Sequence, residues 1–182
     1  IQPEEEITDE QMRQTIVTLY YKNKETKELM PEGRMIDSKE LLSDPYTTLI
    51  ELLIEAPKSE NLQSVIPEGT RVIKAELKSD ILYLDLSKEF IDNHEGGEEA
   101  ENLTIYSIVN TVTELNEVNS VKILINGRED QSFNDNKINF RNAFVRIDNK
   151  DTAESKKNNT VNSVIQNNQS SNVIKNEQAI GN

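Results

Sequence analysis

Residues 73–86 read IKAELKSDILYLDL, and the fold is read outward from them. Ile73, Ala75 and Leu77 alternate with Lys74, Glu76 and Lys78, the period of a strand with one face in apolar surroundings. Ser79-Asp80 supplies a two-residue turn. Leu82, Leu84 and Leu86 then alternate on the return, with Tyr83 and Asp85 on the opposite face. Period two on both sides of so short a turn predicts an antiparallel hairpin.

Upstream, residues 15–21 are rich in β-branched and aromatic types and predict a strand. Residues 29–36 form a shorter edge segment, because Pro31 has no N–H to give a central strand. A helix follows. Asp44 is its expected N-cap, Pro45 takes the first helical position, and Tyr46, Leu49, Ile50, Leu53 and Ile54 lie on one face before Pro57. Downstream of the hairpin a second helix spans about 98–115, with the stripe Ile105, Ile108, Val109, Val112 and Leu115. A strand at 121–125 ends on the turn signal Asn126-Gly127. Residues 138–147 carry Phe140, Phe144, Val145 and Ile147 and form either an edge strand or a packed extension. The expected class is α/β of the α+β type: a small mixed sheet with two amphipathic helices on one face.

Composition narrows the function. The chain of 182 residues holds 33 acidic against 20 basic residues, a net charge of −13. Phosphate backbones and anionic membrane surfaces demand the opposite sign, so nucleic acid is excluded and a basic protein partner is favoured. Cys is absent, which removes disulfides, thiol nucleophiles and thiolate metal sites. No apolar run reaches the about 18 residues that a membrane span needs. Residues 1–13 read as an acidic N-terminal linker, 14–150 as the domain, and 151–182 as an Asn-rich tail with too little apolar surface to offset its ordering entropy. The chain opens on Ile1, so either the native start lies upstream or a leader has been removed.

The candidate sites are few. His94, the single histidine, lies in a polar stretch and reads as an exposed loop residue; alone it builds neither a triad nor a metal centre. Gly96-Gly97 precedes a helix, but the phosphate-loop patterns are missing and Glu98, Glu99 and Glu101 would repel phosphate. Asp92, Glu95, Glu98, Glu99 and Glu101 lack the spacing of a Ca²⁺ loop and read as a solvated acidic cluster. Asp85 is the best carboxylate, yet general acid/base work needs a second one placed beside it. Its local reading is structural: Asp85-Leu86-Ser87 leads into Lys88-Glu89-Phe90, and Ser87 is placed to cap that turn. Asn102-Leu103-Thr104 matches the N-glycosylation pattern but falls inside a predicted helix.

Taken in order, these segments resemble the GerMN domain family of sporulation and spore-germination proteins. Residues 66–73 (IPEGTRVI) and 82–90 (LYLDLSKEF) are similar to its proline-glycine turn and its strand ending in a V-D-L-S-like run. Gly96-Gly97, Glu101 and residues 105–114 resemble its second helix, residues 118–127 its closing strand and turn, and Phe140-Arg141-Asn142 a further C-terminal element. Ser79-Asp80 stands where the family often has glycine, and one copy of the domain is present where some relatives have two. The positions matching the family motif are Pro67, Gly69, Asp85, Ser87, Phe90, Thr111 and Gly127, with structural roles.

The resemblance implies a fold similar to the ring-building-motif domains. It also implies an extracytoplasmic domain, membrane-anchored as a lipoprotein, in a spore-forming or related Gram-positive bacterium. Related domains assemble envelope complexes between mother cell and forespore. No enzymatic activity, cofactor or metal is implied. The leading expectation is a non-enzymatic interaction module, docking through the edge near residues 17–21 and 29–36. The alternative is an accessory domain for peptidoglycan or a germination enzyme, which the scarcity of aromatics (Tyr 5, Phe 4, no Trp) disfavours. A hydrolase built on Asp85 lacks a visible partner.

Overall fold

The computed structural model describes residues 8–9 and 13–147. The tail at 151–182, and nearly all of the linker at 1–13, lie outside the described residues. Contacts divide the chain after Arg146, and every strand and helix among the described residues belongs to the unit before that division.

The elements are β1 (Gln14–Asn23), β2 (Leu29–Asp37), α1 (Ser38–Ser43), α2 (Pro45–Ile54), β3 (Leu62–Gln63), β4 (Val72–Lys78), β5 (Ile81–Leu86), α3 (Glu89–Asp92), α4 (Glu98–Val112), β6 (Ser120–Ile125) and β7 (Phe144–Val145). Their class is α+β. The strands form two sheets where one was expected: an antiparallel β2-β1-β3 and a mixed β4-β5-β6-β7.

The mixed sheet grows from the predicted hairpin. Lys78 pairs with Ile81 across Ser79-Asp80, and Ser79 takes a positive φ of 58°. β5 and β6 run parallel, Leu82 beside Val121 and Leu86 beside Ile125, so the chain must cross over between them, and α4 is that crossover. Leu82, Leu84, Leu86, Val121 and Ile123 are fully buried, as are Ile105, Ile108, Val109 and Val112 of α4. Truncating any one of the leucines to Ala costs about 2–5 kcal/mol.

The β4 alternation is broken at its start. Val72 pairs with Leu86 and Lys74 with Asp85, so β4 carries one extra residue, a bulge. Ile73, expected on the core face, is 52 % exposed.

α2 starts as its sequence predicts. Asp44 accepts a hydrogen bond from Thr47 N at 3.1 Å, Pro45 follows, and Leu49, Ile50 and Leu53 are buried. Two short helices were not expected. Asp37 caps α1 by accepting from Lys39 N at 2.8 Å, and α3 follows Ser87. Ser87 does not cap α3. Its Oγ accepts from Arg71 N at 2.9 Å, closing the entrance of β4.

The split into two sheets has a local cause. At Tyr20 the edge of β1 facing away from β2 is taken by side chains of α4: Tyr20 N donates to Thr111 Oγ1 at 3.0 Å, and Tyr20 O accepts from Ser107 Oγ at 2.6 Å. A helix occupies the place where a neighbouring strand would pair.

Candidate interaction surface

β2 is one edge strand of its sheet, opposite the two-residue β3. Its sequence LMPEGRMID puts Glu32, Arg34 and Ile36 inward, and the two charged residues are 8 % and 5 % exposed. They are held together. Arg34 donates to Glu32 Oε2 at 2.9 Å, and Glu32 also accepts from Ser59 N at 2.8 Å and Lys58 N at 3.2 Å. Burial alone would raise the Glu32 pKa. The hydrogen bonds from Arg34, Ser59 and Lys58 outweigh it and hold the carboxyl at about 2. Beneath this pair, Tyr21 donates to Leu52 O at 2.6 Å, and burial pushes its pKa up to about 12, although the Arg34 charge acts in the opposite sense.

With Glu32 and Arg34 turned inward, no exposed charge remains between Leu29 and Ile36. What shows is Met30, Pro31, Gly33 and Met35. Met35 pairs with Ile16 on the outer face, and the two are 56 % and 68 % exposed. Ser38 N donates to Arg13 O at 2.6 Å. Counting back from that bonded pair by twos, the alternation of an antiparallel ladder turns the backbone groups of Pro31, Gly33 and Met35 to the free edge.

The long outer strand of the other sheet, opposite the two-residue β7, is different. β4 shows Lys74, Glu76 and Lys78 in ion pairs of 2.7 and 3.9 Å, Lys78 also lies over the Tyr83 ring, and the bulge at Ile73 disturbs the ladder. Charges and a bulge are how sheet edges are kept from pairing.

The residues matching the family motif lie elsewhere. Thr70 donates through N and Oγ1 to Pro67 O at 3.2 and 2.7 Å, with Gly69 between them at φ +82°, the third turn position where glycine is required. Asp85 Oδ1 accepts from Gly127 N at 2.9 Å, and Asn126 and Gly127 both take positive φ. Phe90 is fully buried against Phe133 and Phe140, ring centroids 5.5 and 6.1 Å away. Thr111 holds β1 through Tyr20 N. Among the described residues no second carboxylate is bonded to Asp85, and a polar depression of about 180 Å³ lined by Lys22, Gln63, Asn93, His94 and Thr104 does not include it.

Two sequence readings are corrected. His94 is not an exposed loop residue: its Nδ1 accepts from Gly96 N at 2.9 Å, its Nε2 meets Thr104 Oγ1 at 2.8 Å, and its ring lies 4.6 Å from that of Phe133. Burial lowers its pKa, while Glu95, the Ala100 carbonyl and Asp135 act the other way. Glu101 is not part of a solvated cluster: it is 1 % exposed, whereas Asp92, Glu95, Glu98 and Glu99 are exposed. Among the described residues no group of three His, Asp or Glu is placed to hold a metal. Thr104 of the glycosylation pattern is buried and donates to Val65 O at 2.9 Å. Gly96 and Gly97 take φ of 80° and 92°, and open space where a Cβ would stand leaves conformation as their role.

The family model for sporulation and spore germination, Germane, matches residues 18–131. The chain belongs to this family. It is a GerMN domain, of a family associated with sporulation and germination that is not a known enzyme family. The tandem GerMN domains of the sporulation protein GerM from Bacillus subtilis superpose with a TM-score of 0.62 at 23 % identity, over 77 % of this chain and 48 % of that one. The chain thus spans about half the length of the tandem structure. The first GerMN domain of the same protein gives 0.61 at 20 % identity, over 74 % of this chain and 99 % of that one. A Clostridium perfringens protein, provisionally classed as a lipoprotein, gives 0.50 at 24 % identity, covering 77 % and 93 %. At these identities the likeness shows the fold. No curated protein matches the chain. No helix among the described residues is long and apolar enough to cross a membrane.

Proposed function

We propose that this GerMN domain is a non-enzymatic docking module of the cell envelope in sporulation or germination, and that it holds a partner protein by strand addition along β2. The observation that carries the reading is the contrast between the two long outer strands: β4 is guarded by charges and a bulge, whereas β2 offers unpaired backbone at Gly33 and Met35 beneath an apolar outer face. An extended segment adding there gains main-chain hydrogen bonds for affinity and apolar contacts at Met35 and Ile16 for specificity. The occupant is an extended partner segment with apolar residues at alternate positions and basic residues around them, since the chain carries −13 and a complementary field speeds encounter. The Clostridium perfringens neighbour supports anchoring as a lipoprotein outside the cytoplasm. The motif residues from Pro67 to Gly127 serve the fold.

The test is affinity capture with crosslinking from sporulating cells, comparing the native chain with Gly33→Pro, Ile16→Lys and, as a control, Ile73→Lys on β4. Envelope-complex proteins are expected with the native and control chains and lost with both edge variants. Equal capture by all four chains overturns strand addition at β2. Saturable sedimentation with purified peptidoglycan, in place of protein capture, overturns the docking reading itself.

A further inference from the structure

β6 ends at Ile125 and passes into the turn Asn126-Gly127. Ile125 and Arg128 exchange both main-chain hydrogen bonds at 3.0 Å, and φ is 48° at Asn126 and 76° at Gly127. Positive φ at both central residues of a two-residue loop is the type I′ geometry. Asn126 is exposed. An exposed Asn before Gly has a reaction of its own. The main-chain nitrogen of the glycine attacks Cγ of the asparagine, a C–N bond closes a five-membered succinimide, and the Cγ–Nδ2 bond breaks. Ammonia leaves with the amide proton, and solvent water opens the ring to aspartate or isoaspartate. Glycine, lacking a side chain, leaves that attack unhindered.

Two features of the fold oppose ring closure here. The first is conformation. In the left-handed region that Asn126 occupies, ψ is about +47°, which puts the Gly127 nitrogen on the far side of the Cα–C bond from the Asn126 side chain. Closure needs a rotation about that bond. Asn126 N is held by Leu86 O at 3.0 Å, so the rotation must carry Gly127 N and Arg128 N off their acceptors. The second feature is Asp85, near the end of β5. Its Oδ1 accepts from Gly127 N at 2.9 Å, and its Oδ2 lies 3.9 Å from where a Cβ on Gly127 would stand. The nucleophile of the reaction is therefore the donor of a charge-assisted hydrogen bond. Carboxylates are too weakly basic to strip an amide proton, so the contact restrains the N–H and does not activate it.

We propose that Asn126-Gly127 is a latent deamidation site and that Asp85 is its guard: the carboxylate holds the turn in the conformation that cannot react and occupies the N–H that would. Asp85 and Gly127 both stand at positions matching the family motif, 42 residues apart in sequence, and the guard gives the pair a chemical purpose beside its structural one. Failure of the guard has defined products. Isoaspartate inserts a methylene into the main chain of the turn and parts Ile125 from Arg128. Aspartate keeps the turn but adds a carboxylate to the one that Asp85 already brings.

Incubating the full chain at pH 8 tests this, with conversion of Asn126 followed by peptide mass spectrometry and chromatographic separation of the isoaspartyl form. The native chain is expected to keep Asn126 long after the same chain unfolded in urea has converted it. Asp85→Ala is expected to convert roughly 10- to 100-fold faster than the native chain, the gain in open turn when a hydrogen bond to a charged group is lost. Asp85→Asn keeps an acceptor without the charge and falls between the two. Thr111→Val, which loosens the hold on β1 instead, leaves the rate at Asn126 unchanged. Native conversion as fast as in urea, a folded Asp85→Ala that converts no faster than the native chain, or equal acceleration by Thr111→Val overturns the guard. If Asp85→Ala does not fold, Asp85→Asn decides alone, by faster conversion or none.

Discussion

Replacing Glu32 by Gln isolates what the buried ion pair does for the β2 edge. The substitution keeps shape and volume but removes the charge that Arg34, Ser59 N and Lys58 N converge on. The carboxyl sits at about 2 against an ordinary 4.5. At ~1.4 kcal/mol per pH unit, that gap corresponds to about 3 kcal/mol of stability at neutral pH, close to the about 3–5 kcal/mol seen when one partner of a buried pair is removed. Because the folded pKa is depressed, the contribution is complete above the unfolded value, near 4.5, and is lost as pH falls toward 2. Urea unfolding followed by circular dichroism at pH 7, 4.5, 3 and 2 reads it directly. Glu32→Gln is expected to be about 3 kcal/mol less stable than the native chain at pH 7, with the gap closing below pH 4. A gap under ~0.5 kcal/mol at pH 7, or one constant across pH, would mean that the pair does not hold the edge and that the reasoning fails.

Thr111→Val leaves Tyr20 N without its acceptor while preserving side-chain volume; about 1–3 kcal/mol should be lost, read as a lower urea midpoint, and an unchanged midpoint would show that water replaces the hydroxyl. The half-buried His94 ring disfavours acid: its folded pKa lies below 6.5, so stability present above 6.5 is lost as pH falls through the folded value. Heteronuclear NMR should find the neutral ring with its proton on Nε2 predominating at pH 6.5, and an imidazole titrating at 6.5 or higher would refute the hydrogen-bond assignment at Nδ1.

Much of this architecture was legible in the chain because period two and period 3.6 leave clear signals where one face is buried. Leu82, Leu84 and Leu86, the α4 stripe and the Asp44-Pro45 helix start all behave as their spacing predicts. What escaped has no local signal. Ile73 looks like the first inward residue of β4, and only the register against β5 reveals the bulge. Phe133 lies among Ser, Asn and Asp with no periodicity around it, yet it is a core residue because the connection between β6 and β7 folds back on Phe90. Two sheets replace one because Ser107 and Thr111 reach Tyr20 across more than eighty positions of sequence. Glu101 and His94 read as solvent residues by type, and it is their tertiary neighbours that bury them. On the interaction surface, Pro31 announced an edge strand, but the inward turn of Glu32 and Arg34 that strips the edge of charge is visible only in the fold.

The Tyr20 anchor has an evolutionary side. α4 grips β1 through the main-chain N–H and carbonyl of that residue, atoms that every amino acid except proline presents alike. Selection on this joint therefore falls on the two hydroxyls, Ser107 and Thr111, while position 20 itself is free to drift. Its phenol meanwhile bonds Glu114 and Arg146, a role a different residue can abandon without unseating the helix. Joints of this kind let homologues diverge widely in sequence and still close the same way.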